Sequence, residues 1–199
     1  MNNLPTQNKT KSKIIQVAMD IIASDGFQGI TVRKIAARAE VNVAAINYHF
    51  GSKENLISEV LASLTVQLRS TFDVLKNDND DPEAALLKFI INYMNVIANY
   101  PDMIKSLITY AVQDKPLQGH AEYSVFLQSE GIVLISNMIK KIVPELDNLS
   151  ISLKALNLLS GLSMPYLMGN SIKKMLNVDL FDEQAKEVYA KLLLNHIAK

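Results

Sequence analysis

In the stretch VNVAAINYHFGSKENL, residues 41–56, side chains that can address a nucleic acid stand at helical spacing. At about 100° per residue, Ile46 and Phe50 fall together on one side of a helix. Ala44, Ala45 and Tyr48 fall opposite, with Asn47 and His49 on the flanks. The outward face is therefore small at its N-terminal end and polar after it. The DNA major groove, about 12 Å wide, takes one helix whose first residues meet the base edges. Alanines let the backbone approach, and their methyls can contact thymine. No rival chemistry is legible. Without cysteine there is no disulfide framework, thiolate nucleophile or cysteine-ligated metal. His49, His120 and His196 lack ligand-like spacing. Paired carboxylates, a nucleophile–base pair and a phosphate loop are missing at usable spacing. Catalytic residues, metals and cofactors are expected to be absent.

The elements that must position this face are readable on either side of it. Thr31 is a good N-cap, and Ile35, Ala36 and Ala39 predict the inner face of a helix ending near Glu40. With Val41, that face has the spacing that packs one short helix across another. Asn42 can cap the helix to Phe50, and Ser52 a longer one reaching about Lys76. Upstream, Ile14, Ala18, Ile21 and Ile22 predict a helix over 10–24, stopped by Asp25-Gly26, behind a disordered polar tail at 1–9. Helix, tight turn and helix make a helix-turn-helix over about 31–50.

The polar run KNDNDD at 76–81 is the clearest break in composition. Asp81-Pro82 opens a helix to Tyr100, with proline where its missing donor costs nothing. Pro101 begins another helix to about Gln113. Further helices are expected over 120–142, over 151–175 with a kink at Pro165, and over 182–198. Pro165 removes a hydrogen bond to the carbonyl of Gly161. No stretch alternates like a strand for long, so the fold class is all-α, with domains at 1–54 and 55–199. At 199 residues and 49% apolar content, the chain can bury a sizeable core. Residues 1–70 hold eight bases against five acids, a net +3, and the remainder is net −3. That asymmetry suggests an N-terminal end that meets a polyanion. No apolar run approaches about 18 residues and the start is polar, which predicts a cytoplasmic protein with no membrane partner.

The stretch TVRKIAARAEVNVAAINYHFGSKENLI, residues 31–57, resembles the DNA-binding signature of the TetR family of transcriptional regulators: a Thr-capped helix, Ile-Ala, a turn, then Tyr-x-Phe, Ser-Lys and Leu. With the first helix the resemblance covers about 45 residues, and beyond residue 60 it is of architecture only. It implies that Arg33, Ala44, Ala45 and Asn47 match base-reading positions. It implies phosphate contacts for Thr31, Tyr48, His49 and Lys53. Where the family usually has glycine in the turn, this chain has Glu40. If that turn needs a positive φ, Glu40 costs about 1–2 kcal/mol.

The resemblance also implies a C-terminal cavity for a small effector. Tyr93, Met94, Ile97, Met103, Leu107, Tyr110, Phe126, Met138, Met164, Tyr166 and Met168 are its candidate lining, and methionines suit adaptable pockets. No charged residue stands out as a buried anchor, so the effector is expected to be mostly apolar or aromatic. Two apolar stripes, Leu153, Leu156, Ser160, Ser163 and Leu167, and Ala185, Val188, Tyr189, Leu192 and Leu193, predict a four-helix dimer interface. The reading is a homodimeric repressor on a pseudo-palindromic operator, released by its effector. The alternative is a DNA-bound interaction protein without an effector, recruiting a protein partner through its C-terminal domain.

Overall fold

The computed structural model describes residues 4–26, 29–77, 81–105 and 123–199, without the side chains of residues 4–7 and 170. The described helices are α1 (Leu4–Asp25), α2 (Val32–Ala39), α3 (Val43–Phe50), α4 (Lys53–Ser70), α5 (Pro82–Asn99), α6 (Ile132–Ile142), α7 (Asn148–Met168), α8 (Asn170–Leu176) and α9 (Glu183–Ala198). No strand occurs among the described residues. Two compact units result, Met1–Val66 with Asp102–Glu122, and Gln67–Pro101 with Tyr123–Lys199. The first unit therefore runs past residue 54, because Leu56, Val60, Leu61 and Leu64 of α4 are buried.

In the first unit α1 packs on α2 and α3, and α2 on α3. Ile14, Ala18, Ile21 and Ile22 are buried, as are Ile35, Ala36 and Ala39. The stretch 4–9, expected as a disordered tail, is already helical. Pro5 falls in the first turn, where its missing N–H is one of the unpaired donors anyway.

The second unit departs from regular helix at three places. The helix expected to reach Lys76 stops at Ser70, and Thr71–Lys76 form a 3-10 turn. Ser70 and Thr71 hydroxyls donate to the carbonyls of Gln67 and Leu68 at 2.8 and 2.6 Å, a local bonding that competes with the α ladder. Phe72 is fully buried there, with ring centroids 4.7 Å from Phe89 and 5.0 Å from Phe126. The helix expected over 120–142 contains a π-turn, Leu127–Gly131. A Cβ on Gly131 would sit 3.2 Å from Phe72 and 3.3 Å from Phe126, so glycine admits both rings. The helix expected over 151–175 begins instead at Asn148, where Asp147 accepts from the Ser150 N–H at 2.7 Å. It breaks at Gly169 (φ +47°) before α8.

At Pro165 the carbonyl left free is that of Gly161, and the Tyr189 hydroxyl donates to it at 3.1 Å. A Cβ on Gly161 would lie 2.7 Å from the Leu193 Cδ2 methyl, so a larger residue would make that side chain shift. The sequence suggested no buried charge. Lys186 is one, 5% exposed, donating to Asn95 Oδ1 and Glu183 Oε1, both at 2.7 Å. Two of its three N–H donors are thus bonded within the chain, one of them to a carboxylate, which offsets the cost of burying the ammonium.

Of the candidate effector residues, Tyr93, Met94, Ile97, Phe126, Met138 and Tyr166 are buried in the second unit, and Met103 is buried in the first. Leu107 and Tyr110 lie outside the described residues. Met164 and Met168 face outward, at 51% and 40% exposure. Each stands two residues from an inward position of α7, Leu162 and Tyr166, which is about 200° around the helix. Surface grooves of about 220 Å³ (Leu153, Asn157, Leu193) and about 490 Å³ (Leu75, Leu134, Asn137) are not lined by Tyr93 or Phe126. Of the candidate dimer residues, Leu153, Leu156, Ser160, Val188 and Leu192 are exposed, and Ser163, Leu167, Ala185 and Tyr189 partly so. Leu193 is instead buried in its own chain, over Gly161.

Candidate nucleic-acid interface

Each short helix of the first unit starts on a side-chain cap. Thr31 Oγ1 accepts from the Lys34 N–H at 3.2 Å, and Asn42 Oδ1 from the Ala44 N–H at 2.9 Å. Ser52 Oγ accepts from the Asn55 N–H at 3.1 Å at the head of α4. Such caps contribute about 0.5–2 kcal/mol each. The turn between α2 and α3 is a Schellman motif, with Val41 N–H on the Ala36 carbonyl at 3.0 Å and Glu40 N–H on Ala37 at 3.3 Å. Glu40 takes the left-handed conformation this motif needs (φ +53°), so the usual turn survives without glycine. Gly51 (φ +72°) closes α3 through its N–H on the Asn47 carbonyl at 2.8 Å.

With both ends fixed, α3 buries Ile46 and Phe50 and turns Ala44, Asn47 and Tyr48 outward. Tyr48 is 72% exposed, an aromatic ring held in water. Ala45 and His49 are partly covered, and the His49 ring meets Tyr48 edge-on at 5.3 Å. Val43, at 37% exposure, lies on the Phe50 side of the helix and is uncovered only because it opens the first turn.

Ion pairing sorts the cations. Lys11 is bound to Glu59 at 2.8 Å, Lys13 to Glu40 at 3.4 Å, and Lys34 to Asp25 at 2.7 Å. The Lys34 hydrogen bond holds the Asp25 carboxyl below its ordinary value. Arg33 and Lys53 are exposed and make no ion pair among the described residues. Lys53 opens α4, so its charge opposes the helix dipole at a cost of about 0.3–1 kcal/mol. A phosphate at that terminus would reverse the sign, meeting a cation at the positive end of the dipole. The face thus combines a close-approach surface and an amide with the guanidinium of Arg33 and the ammonium of Lys53, neither ion-paired among the described residues.

Residues 14–60 match the family model described as bacterial regulatory proteins, tetR family. The chain is 28% identical over 102 residues to the HTH-type transcriptional repressor NicS of Pseudomonas putida, covering 51% of this chain and 48% of that protein. It thus spans about half the length of that relative. Identity is also 28% over 173 residues with the probable HTH-type transcriptional regulator YttP of Bacillus subtilis, covering 84% and 82%. A tetR-family transcriptional regulator from Streptomyces coelicolor has the same fold, with TM-score 0.69, 14% identity, and coverage of 96% of this chain and 79% of that one.

Proposed function

The chain belongs to the TetR family of transcriptional regulators, a family of DNA-binding proteins and not of enzymes, and from that premise we propose a ligand-responsive repressor acting as a homodimer in the cytoplasm. The observation that carries the reading is α3 itself. Its two large apolar residues are inside, and its outward face offers small, amide and phenol groups beside unpaired Arg33 and Lys53. Two copies of α3 would enter successive major grooves, about 34–36 Å apart or somewhat more, on a pseudo-palindromic operator. Leu153 and Leu156 of α7 with Val188 and Leu192 of α9 supply an unpartnered apolar surface for a second copy.

The effector is read as small and mainly apolar or aromatic. Support comes from the buried ring cluster of Phe72, Phe89, Tyr93 and Phe126. The Tyr93 and Tyr123 hydroxyls meet there at 2.7 Å, and burial pushes both phenols above their ordinary range. A ligand would need to open this packing, and it would release DNA only by its preference for the opened state. Selection of bound duplexes from a random pool tests the DNA reading. A two-fold sequence recurring upstream of a gene in the source genome is expected; recovery of unrelated sequences would overturn it. Incubation with cell extract followed by mass spectrometry tests the effector. A retained apolar compound is expected, and retention of a protein alone would favour the interaction-protein alternative.

A further inference from the structure

The eight residues of α3, VAAINYHF, contain no lysine, arginine, glutamine, aspartate or glutamate. The helix therefore lacks the side chains that pair bidentately with guanine and the carboxylates that accept from cytosine. Its N-terminal end, where a recognition helix meets base edges, exposes Val43 and Ala44 and partly exposes Ala45. Those are methyl surfaces, and the major-groove feature they match is the C5-methyl of thymine. One amide follows, Asn47, whose planar donor and acceptor match the N6 and N7 edge of adenine. The Asn42 side-chain oxygen is already bonded to the Ala44 N–H, and Lys34 is held by Asp25. Of the exposed guanidinium groups of α2 that make no ion pair among the described residues, Arg33 stands in its first turn and Arg38 in its last.

We infer that each operator half-site is built on A·T pairs, with two or three thymine methyls packed against Val43, Ala44 and Ala45, one adenine held by Asn47, and guanine read from Arg33. The inference deepens, and rests on, the reading of α3 as the DNA-reading helix. It makes the thymine methyl a recognised group, which separates it from a preference for A·T-rich shape. Deoxyuridine keeps the pairing, the stacking and the minor-groove edge of thymidine and lacks the methyl.

The test uses the wild-type protein and its selected operator at fixed salt, with each thymidine replaced in turn by deoxyuridine. At about 0.8 kcal/mol per buried carbon, each contacted methyl lost is expected to weaken binding about fourfold. Replacement of the equivalent thymine in both half-sites should approach about fifteenfold by the same constant. In Ala44→Gly, checked for folding by circular dichroism, deoxyuridine at the position facing residue 44 should cost nothing further. In Asn47→Ala, discrimination at one A·T pair should fall. Half-sites dominated by G·C pairs, or a selected operator indifferent to deoxyuridine at every position, would overturn the inference while specific binding stands. Loss of all sequence preference would instead overturn the DNA-reading assignment of α3, and the inference with it.

Discussion

The exposed faces of α3 and of the α7–α9 pair are both unfinished surfaces, and they are unfinished in opposite ways. On α3 the outward residues are alanine, asparagine and a tyrosine whose hydroxyl can bond, so water serves them at little cost. On α7 and α9, Leu153, Leu156, Val188 and Leu192 stand in water, with Leu156 at 61% exposure. Burying such side chains is worth about 1.5–3 kcal/mol each. The first surface matches a wet, hydrogen-bonding groove, and the second an apolar protein face. The contrast supports the proposed reading, with specificity on α3 and assembly on α7 and α9.

The largest expected effect breaks the apolar surface. Leu156→Glu with Leu192→Glu should give monomers by sedimentation, and operator affinity should drop at least about a hundredfold although every DNA-facing residue is intact. A dimer that survives both charges would remove α7 and α9 from the interface. Next, Ala44→Leu adds volume where α3 must approach the groove floor. Operator binding should fall about tenfold or more, in line with about 1–3 kcal/mol for a lost base contact, with the melting temperature unchanged. A melting loss as large as that of a core substitution would place residue 44 inside. Lys53→Ala should act more weakly and without regard to sequence. Operator and random DNA should lose affinity alike, with the salt slope reduced by about 0.9 in titrations from low to high salt. Arg33→Ala should change base discrimination instead.

The smallest effects concern the frame that holds α3. Glu40→Gly removes a left-handed strain of about 1–2 kcal/mol and adds unfolded-chain entropy of about 0.5–1 kcal/mol. The melting temperature should stay level or rise slightly; a clear fall would mean that the exposed Lys13 pair matters more than the strain. Asp25, its carboxyl held low by Lys34, contributes stability present above the unfolded value and lost as pH falls through the folded one. Below about pH 4, Asp25→Asn should therefore unfold less steeply with acid than the wild type. Parallel acid limbs would show the pair to be thermodynamically silent.

The first unit was readable because its information is local. Thr31 and Asn42 cap as their residue types suggest, Ile46 and Phe50 go inside, and Pro82 opens α5 behind Asp81. The irregular turns of the second unit were not readable. Nothing in Leu127–Gly131 states that a π-turn is favoured; Phe72, which crowds Gly131 together with the neighbouring Phe126, comes from far along the chain. At the 3-10 turn the local hydroxyl bonds of Ser70 and Thr71 coincide with burial of Phe72 among rings from distant parts of the chain. Methionine suggests a pocket at Met164 and Met168, while their spacing from Leu162 and Tyr166 puts them on the far side of α7. Lys186 looked like surface because its partner Asn95 lies 91 residues away in the chain.

The Tyr189 hydroxyl on the Gly161 carbonyl has a consequence for assembly. Pro165 removes the ladder bond from a single carbonyl of α7, and the glycine there admits α9 at a single point. Together they act as a key and keyway. Turning α9 by one residue would swing the phenol about 100° away and strand the carbonyl. Val188, one position before Tyr189, and Leu192, three after it, are therefore clocked to a fixed outward bearing before any second copy arrives. Were a second copy to pair on these helices, rotational freedom that two loosely joined helices would surrender is already gone, and less of the association energy would go into ordering the surface.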